Sequence, residues 1–233
     1  MTVGLARDSR NRRLLILRQN AGSAEATTHP RIAALRRILR GDEAATWVFT
    51  GDDAGPTHSE RRSLASIFEA EVRDARHRHD DVIIDTARPR DRLVSLCQNL
   101  RPRVLRFEPT AAFLLLGPGD PRGQRVRQET IGLTRTCQLL MERGCTPVLL
   151  TPPEYMLGDG DAIVRQRKRA AVVAQQLFLP VVDISECRRP SDAGRVLLQT
   201  LGYDVDNDVR PIGDEDITVM MTRAEQIAAG AVV

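Results

Sequence analysis

Five short apolar runs recur along this 233-residue sequence, and stretches of helical length separate each run from the next. Runs of four to six β-rich residues are typical of strands that are covered on both faces. The predicted strands span residues 47–50, 82–85, 111–116, 147–150 and 180–184. The helical segments between and after them span residues 60–79, 91–100, 124–143, 161–178, 191–201 and 215–229.

This alternation predicts an α/β domain. Strand–helix–strand units repeated in this way form parallel sheets with right-handed crossovers and helices on both faces. We therefore expect a three-layer α/β/α sandwich with about five parallel strands. A further helix opens at Pro30 and ends at Gly41. Residues 1–28 are predicted to form an N-terminal arm, and residues 29–233 a single domain.

Composition narrows the classes of function. The 34 basic residues are offset by 31 acidic ones, so the net charge is only +3 and a mixed, solvated surface is expected. Aromatic residues make up 3% of the chain, which predicts an aliphatic core and few platforms on which bases could stack. We therefore expect no nucleic-acid partner.

Neither a signal peptide nor a membrane-spanning segment is evident, so we expect a cytoplasmic protein without a membrane partner. The cysteines form no CxxC pair, and no histidine lies at metal-ligand spacing from them. This pattern predicts buried, reduced thiols, and we expect neither a metal nor a cofactor. The cysteines are Cys97, Cys137, Cys145 and Cys187.

Glycines and polar residues follow three of the predicted strands, and a related block precedes the last helix. Ligands of parallel sheets bind outside the carboxyl ends of the strands, so these segments are where a site is expected. Residues 51–53 read Gly-Asp-Asp, residues 85–90 read Asp-Thr-Ala-Arg-Pro-Arg, residues 117–120 read Gly-Pro-Gly-Asp, and residues 207–211 read Asn-Asp-Val-Arg-Pro.

These blocks, in this order, resemble the SGNH or GDSL-type hydrolase superfamily over roughly residues 30–230. Members carry Gly-Asp-Ser after strand one, a glycine after strand two, Gly-x-Asn-Asp after strand three and Asp-x-x-His-Pro near the C-terminus. The approach to the third strand at residues 101–109 and the Thr-Pro-Pro at residues 151–153 are also similar to the family. The resemblance implies a flavodoxin-like sheet with an esterase site at its strand ends.

Four positions depart from the family's pattern, and all four lie in the blocks that the family uses for catalysis. By the resemblance, Asp53 stands where the nucleophilic serine is expected, and Arg210 stands where the basic histidine is expected. Arg90 falls at about the position of the second-block glycine, and Gly119 replaces the asparagine that contributes to the oxyanion hole. The resemblance thus implies an esterase architecture without the family's catalytic groups.

Three further block positions complete the resemblance. Asp52 and Asp120 match the family's block acids, which we interpret as structural anchors. Asn207 takes the place of the carboxylate that orients the histidine, although acidic residues flank it on both sides.

Acyl transfer needs a nucleophile, a base with a pKa near neutrality and donors aimed at the developing oxyanion. Arg210 cannot act as the base, because a guanidinium stays protonated at physiological pH. An acyl group on Asp53 would form an anhydride with no histidine to resolve it, and Gly119 has no side-chain amide. Loss of one triad member costs about 10⁴- to 10⁶-fold in turnover, so we predict a non-catalytic protein, a pseudoenzyme.

We therefore predict a domain that binds a ligand or partner through an arginine-rich pocket, which suits an anionic small molecule such as a carboxylate, a phosphate or an acidic sugar. Nucleophile and base positions touch in the family, so Asp53 and Arg210 are expected to form an ion pair across the former active site. The candidate ligand-binding residues are Asp53, His58, Arg88, Arg90, Asp120 and Arg210.

Other interpretations stay open. A reorganised site that uses His58 and Asp53 could hydrolyse carbohydrate esters or lipid-like substrates. Asp52, Asp53 and Asp120 could hold Mg²⁺, although arginines at positions 90 and 210 would oppose a divalent cation. The chain could also be a structural or interaction module that forms oligomers through its N-terminal arm.

The remaining polar residues of interest receive structural interpretations. We expect His29 to lie at the surface before the first helix, and His77 and His79 to be solvated at a polar helix end. Ser59 is predicted to cap a helix that begins at Glu60.

Overall fold

The computed structural model describes residues 29–52, 63–88, 93–117, 126–154 and 160–202, and within them the predicted α/β fold is confirmed. One parallel sheet contains β1 (Thr46–Gly51), β2 (Val82–Asp85), β3 (Ala111–Leu115), β4 (Thr146–Leu150) and β5 (Val181–Val182). The helices are α1 (Pro30–Arg40), α2 (Leu64–Arg76), α3 (Leu93–Gln98), α4 (Leu100–Arg103), α5 (Val126–Glu142), α6 (Gly160–Leu177) and α7 (Pro190–Thr200), with a 3₁₀ helix at Leu105–Phe107. None of these helices is long and apolar enough to cross a membrane.

The strand order is β2-β1-β3-β4-β5, which is the doubly wound order of flavodoxin-like sheets. Trp47 of β1 lies opposite Ile83 of β2 on one side and opposite Ala111 of β3 on the other. The chain runs outward from β1 to β2 and then returns past β1 to β3, so the order reverses between β1 and β3. The carboxyl ends of these two strands are where sheets of this kind bind ligands.

An aromatic cluster lies in the core on the face of the sheet that packs against α1, α2 and α7. The rings of Trp47, Phe49, Phe68 and Phe113 lie with their centroids 4.6 to 6.2 Å apart. The chain has only one Trp, two Tyr and five Phe, so half of its aromatic residues meet here. The other buried residues of this layer are mostly Leu, Ile, Val and Ala, so the predicted aliphatic core surrounds one concentrated aromatic cluster.

The opposite face of the sheet packs against α3, α4, α5 and α6 and has the predicted aliphatic core, which includes Val48, Leu114 and Leu133. One ion pair lies within it, between Arg169 of α6 and Glu129 of α5, at 2.7 Å with each side chain 4% exposed. Burial lowers the pKa of Arg169, and the Glu129 carboxylate partly counteracts this. Buried pairs of this kind add little net stability, so we interpret the pair as fixing how the two helices sit together.

The two ends of helix α1 contact residues that precede the two edge strands. At its start, the ring of His29 lies 4.8 Å from that of Phe178, which precedes β5. At its end, the carbonyl of Gly41 accepts a hydrogen bond from Arg78, which precedes β2. His29 is half-buried, and its Nδ1 accepts the backbone N–H of Arg31 at 3.2 Å as the N-cap of α1. His29 therefore lies only partly at the surface, and its role as the N-cap of α1 was not predicted.

A buried polar network joins the start of β1 to the turn before β2. Nε and Nη2 of Arg78 donate to the carboxylate of Asp81 at 2.8 and 2.7 Å, and the two side chains are 7% and 1% exposed. Asp81 also accepts the indole N–H of Trp47 at 2.7 Å. His77 and His79 are exposed, as predicted. The polar pattern of this segment does not predict the buried pair beside them.

The predicted helix over residues 91–100 is instead two short helices, α3 and α4. Pro102 has no N–H to offer to the preceding turn, which disfavours a continuous helix. The side-chain amide of Asn99 donates to the carbonyl of Ser95 at 3.0 Å and so competes for a backbone acceptor. Helix α4 therefore begins as a separate helix, and its last residue, Arg103, is buried.

Helix α2 begins later than predicted. Its first residue is Leu64, and its N-cap is Ser63, whose hydroxyl accepts the backbone N–H of Ser66 at 3.2 Å. The prediction that Ser59 caps this helix is wrong, because the cap must lie directly before the first helical residue.

The two edge strands also differ from the expected pattern. Val82 of β2 is 49% exposed, so this run is not covered on both faces. Strand β5 contains only Val181–Val182 instead of residues 180–184, because Asp183 turns its carboxylate toward Thr151 rather than continuing the ladder.

The four cysteines are free thiols; Cys137, Cys145 and Cys187 are buried and Cys97 is half-buried. Burial raises the pKa of each of the three buried thiols to about 12, so all three stay protonated at neutral pH. These three cysteines are therefore buried thiols of the core, as predicted.

Candidate functional site

A glycine brings the carboxyl end of β1 against β3. Gly51 has a φ of 107°, a conformation that favours glycine, and a Cβ at this position would overlap the carbonyl oxygen of Leu115. The next residue, Asp52, donates its backbone N–H to that carbonyl at 3.0 Å. The close approach therefore lies at the point where the strand order reverses.

The side chain of Asp52 packs beneath this edge. The residue is 4% exposed, and a Cβ on Gly117, which follows β3, would overlap its Oδ2. The small residue at position 117 makes room for the carboxylate between the ends of β1 and β3. This position agrees with the interpretation of Asp52 as a structural anchor.

Arg88 lies beside Asp52 on the β2 side. The two residues form a parallel bridge, and the N–H of Arg88 donates to the carbonyl of Gly51 at 3.0 Å. Arg88 is exposed, and its side chain forms no ion pair with any other residue in the described ranges. Its guanidinium is therefore a cation at the carboxyl end of β1.

A second arginine lies beneath the same strand ends. Arg103 of α4 is 5% exposed, and its Nη2 lies 2.5 Å from the carbonyl oxygen of Thr86 and 3.4 Å from the hydroxyl of Thr50. Thr86 in turn donates both its N–H and its hydroxyl to the carbonyl of Phe49, at 2.8 and 3.2 Å. Arg103 thus ties α4 to the ends of β1 and β2.

A carboxylate holds together the ends of β4 and β5. Asp183 accepts the hydroxyl of Thr151 at 2.8 Å and the backbone N–H of Ser185 at 3.1 Å, and it pairs with Arg167 at 2.7 Å. Burial opposes ionisation, but the hydrogen bonds from Ser185 and Thr151, together with the Arg167 charge, outweigh it and lower the pKa of Asp183. The ionised carboxylate of Asp183 therefore stabilises the fold at the ends of β4 and β5.

Of the six candidate ligand-binding residues, Arg88 lies among the described residues. Five lie outside them: Asp53, His58, Arg90, Asp120 and Arg210. Gly119 and Asn207 also lie outside, so the pocket and the Asp53–Arg210 ion pair stay predictions. In the sequence, Asp53 is the second residue after β1 and Gly119 the fourth after β3, so both follow strands of the described part of the chain.

Two residues at this edge, Arg103 and Asp183, were not predicted from the sequence. Arg103 is buried whereas Arg101, two residues earlier in the same basic segment, is exposed, and no local pattern separates them. Two partners of Asp183, Thr151 and Arg167, come from other parts of the chain, and Thr151 lies 32 residues away. Only the packing of α4 and β5 identifies these two residues.

A cavity of about 450 Å³ opens at the opposite edge of the sheet, where the strands begin. Its lining includes Arg40, Asp42, His77, His79 and Asp80. Charges of both signs line the cavity, and the buried arginine in its wall, Arg78, is already paired with Asp81. The cavity therefore does not define a class of ligand.

No protein-family model and no curated protein matches the sequence. Several solved structures are similar to the fold. An acetylxylan esterase from Geobacillus stearothermophilus, in a catalytic mutant, is 11% identical with a TM-score of 0.56, over 70% of this chain and 98% of that chain. A protein assigned to the G-D-S-L lipolytic family from Desulfitobacterium hafniense DCB-2 is 14% identical with a TM-score of 0.53, over 68% and 97%. A lipase/acylhydrolase from Enterococcus faecalis is 21% identical with a TM-score of 0.50, over 61% and 77%.

The strand order and these structural neighbours define an α/β fold of the SGNH/GDSL hydrolase type. The resemblance drawn from the strand-end blocks is thus confirmed for the fold, which is flavodoxin-like and of SGNH/GDSL architecture. Because the neighbours are 11% to 21% identical to this chain, they establish its fold and not its activity.

Proposed function

We propose that this chain is a non-catalytic binding protein on the SGNH/GDSL hydrolase fold, with an anionic small molecule as its ligand. The observation that carries the proposal is the position of Arg88, whose backbone pairs with Asp52 at the end of β1. An exposed guanidinium therefore lies next to the strand end at which the chain continues into Asp53, where the family has its serine.

The positive charge of the arginines at the carboxyl ends of the strands favours binding of an anion. Arg90 follows Arg88 by two residues, and the family pattern brings Arg210 to the same pocket. Guanidinium groups bind carboxylates and phosphates through paired, charge-assisted hydrogen bonds. A ligand with one such group, for example an acidic sugar or a phosphorylated small molecule, is the class that the site would select.

The residues at the block positions support a role in binding rather than hydrolysis. Arg210 cannot accept a proton, Gly119 supplies no side-chain donor, and Asp53 is a carboxylate instead of a hydroxyl. Binding needs none of the groups that are missing.

An esterase with a reorganised site is the second candidate, and the structural neighbours favour it, since the three named above are an acetylxylan esterase, a G-D-S-L lipolytic protein and a lipase/acylhydrolase. In that case His58 and Asp53 would have to replace the family's catalytic groups. The substrate would be a carbohydrate ester or a lipid-like ester.

Ligand binding is tested by thermal unfolding in the presence of inorganic phosphate and of glucuronate. A ligand that binds only the folded chain adds about 2.7 kcal/mol at a hundred times its Kd, so the Tm should rise with concentration. Arg88→Met should weaken binding about tenfold, because it removes a charged hydrogen-bonding partner. Arg101→Met, at an exposed arginine on α4, is the matched control and should bind like the wild type. If neither anion raises the Tm, the anionic ligand is ruled out.

Catalysis is tested with a short-chain chromogenic ester. We expect the wild type to hydrolyse it no faster than Asp53→Ala. Hydrolysis by the wild type that is lost in both Asp53→Ala and His58→Ala would establish the esterase instead.

A further inference from the structure

The segment that carries Arg88 extends the β1–β2 pairing beyond the end of β2. The N–H of Thr86 donates to the carbonyl of Phe49, and the N–H of Arg88 donates to the carbonyl of Gly51. Among the described residues, strand β2 lies at the edge of the sheet, and none of their strands pairs with its other side.

Arg103 supplies support from a different element. Its Nη2 donates to the carbonyl of Thr86 at 2.5 Å and lies 3.4 Å from the hydroxyl of Thr50 in β1. The guanidinium is held inside the protein, since the residue is only 5% exposed. One residue separates Thr86 from Arg88, so a clamp on the Thr86 peptide restrains the backbone that presents Arg88.

We infer that Arg103 is the positioning residue for Arg88, and that it thereby sets the affinity of the carboxyl-edge site for an anionic ligand. The inference rests on the proposed function for its ligand, but not for the contact between Arg103 and the Thr86 segment. The Thr86 carbonyl and the Thr50 hydroxyl both face Nη2 of the buried guanidinium, which offsets part of the cost of burying the arginine. Arginine suits the task because its rigid fork donates in fixed directions, whereas a lysine ammonium does so from a flexible stem.

The experiment compares Arg103→Met, Arg103→Lys, Arg88→Met and Arg101→Met with the wild type. Calorimetry measures the Kd for inorganic phosphate, and hydrogen exchange measures the amides of Thr86 and Arg88. The core amides of Leu114 and Val148 report the stability of the sheet as a whole. Arg101→Met controls for the loss of one positive charge from α4.

Arg103→Met should weaken phosphate binding about tenfold although Arg88 is still present, and Arg103→Lys should recover part of the loss. Exchange at Thr86 and Arg88 should accelerate in Arg103→Met while exchange at Leu114 and Val148 is unchanged. Wild-type affinity in Arg103→Met, or equal acceleration at all four amides, would overturn the inference, because the residue would then have no role or a merely structural one.

The two proposals fail in different ways. If phosphate does not bind the wild type, or binds Arg88→Met equally well, the proposed function fails and the exchange data alone decide the role of Arg103. If Arg88→Met loses affinity and Arg103→Met does not, the proposed function stands and the positioning role is rejected.

Discussion

Gly117 and Asp52 lie so close that a side chain at position 117 would displace the buried carboxylate of Asp52. The contact joins the ends of β1 and β3, the two strands between which the strand order reverses. It gives a physical reason for a glycine after the third strand, because any Cβ there would push apart the strand ends that frame the site.

Gly117→Ala should therefore destabilise the fold by about 1–3 kcal/mol, the usual cost of overpacking a filled site. Gly41→Ala is the matched control, since a Cβ at Gly41 comes no closer than 3.4 Å to any other group, and it should change stability by less than about 0.5 kcal/mol. Urea unfolding of both variants gives the two values. Equal stability of Gly117→Ala and the wild type would contradict the contact.

The buried Arg78–Asp81 pair should be strongly coupled. Removing one partner from a buried ion pair costs about 3–5 kcal/mol because the other charge is left without its counterion. Arg78→Met and Asp81→Asn should each destabilise the protein, and the double variant should lose much less than the sum. Trp47 is the single tryptophan and donates to Asp81, so its fluorescence follows unfolding directly.

An exposed ion pair is the control for this cycle. Arg73 and Glu69 lie 2.9 Å apart with side chains about 40% exposed, and Arg73→Met should cost less than about 1 kcal/mol. Additive losses in the Arg78 and Asp81 cycle would show that the buried contact contributes no coupling.

His29 should make stability depend on pH. Burial and the nearby Arg31 charge lower its pKa from 6.5, and its neutral Nδ1 accepts the capping hydrogen bond. As the pH falls below about 7, the unfolded chain binds a proton at this residue before the folded chain does, so stability falls. Below the lowered pKa both states are protonated and the loss is complete.

His29→Asn keeps a cap acceptor without a titratable ring, so its free energy of unfolding should fall less between pH 7 and 5 than that of the wild type. His79→Asn, at an exposed position, should keep the wild-type slope. Urea unfolding at a series of pH values measures all three. An unchanged slope in His29→Asn would exclude this residue as a source of the pH dependence.

The expected ion pair between Asp53 and Arg210 is tested by charge reversal. Asp53→Arg and Arg210→Asp should each lower the Tm, because each places two like charges at positions that touch in the family. The double reversal should restore most of the loss. If the two single variants and the double variant show additive effects, the residues do not meet.

Several features of this protein follow from local sequence alone. The alternation of short apolar runs with helical segments is enough to predict the parallel sheet, and the order of the strand-end blocks is enough to predict the SGNH/GDSL fold. Both predictions use local patterns, because the backbone preference of a segment and the order of the blocks are visible in the sequence without knowledge of which distant residues contact them. The chemical identity of Asp53 and Arg210 is visible in the same way.

Other features depended on the tertiary structure. Arg101 and Arg103 are the same residue type in one basic segment, yet Arg103 is buried because it reaches Thr50, 53 residues away, and Thr86. Phe178, far along the chain, lies against the ring of His29, a contact that the sequence around His29 does not reveal. Burial of a charged or polar side chain is stable only where distant groups satisfy it, and those groups come together only when the sheet and helices pack. The sequence thus determined the fold and the chemical identity of the residues at the block positions. Packing decided which charged side chains, such as Arg103, are buried next to the site.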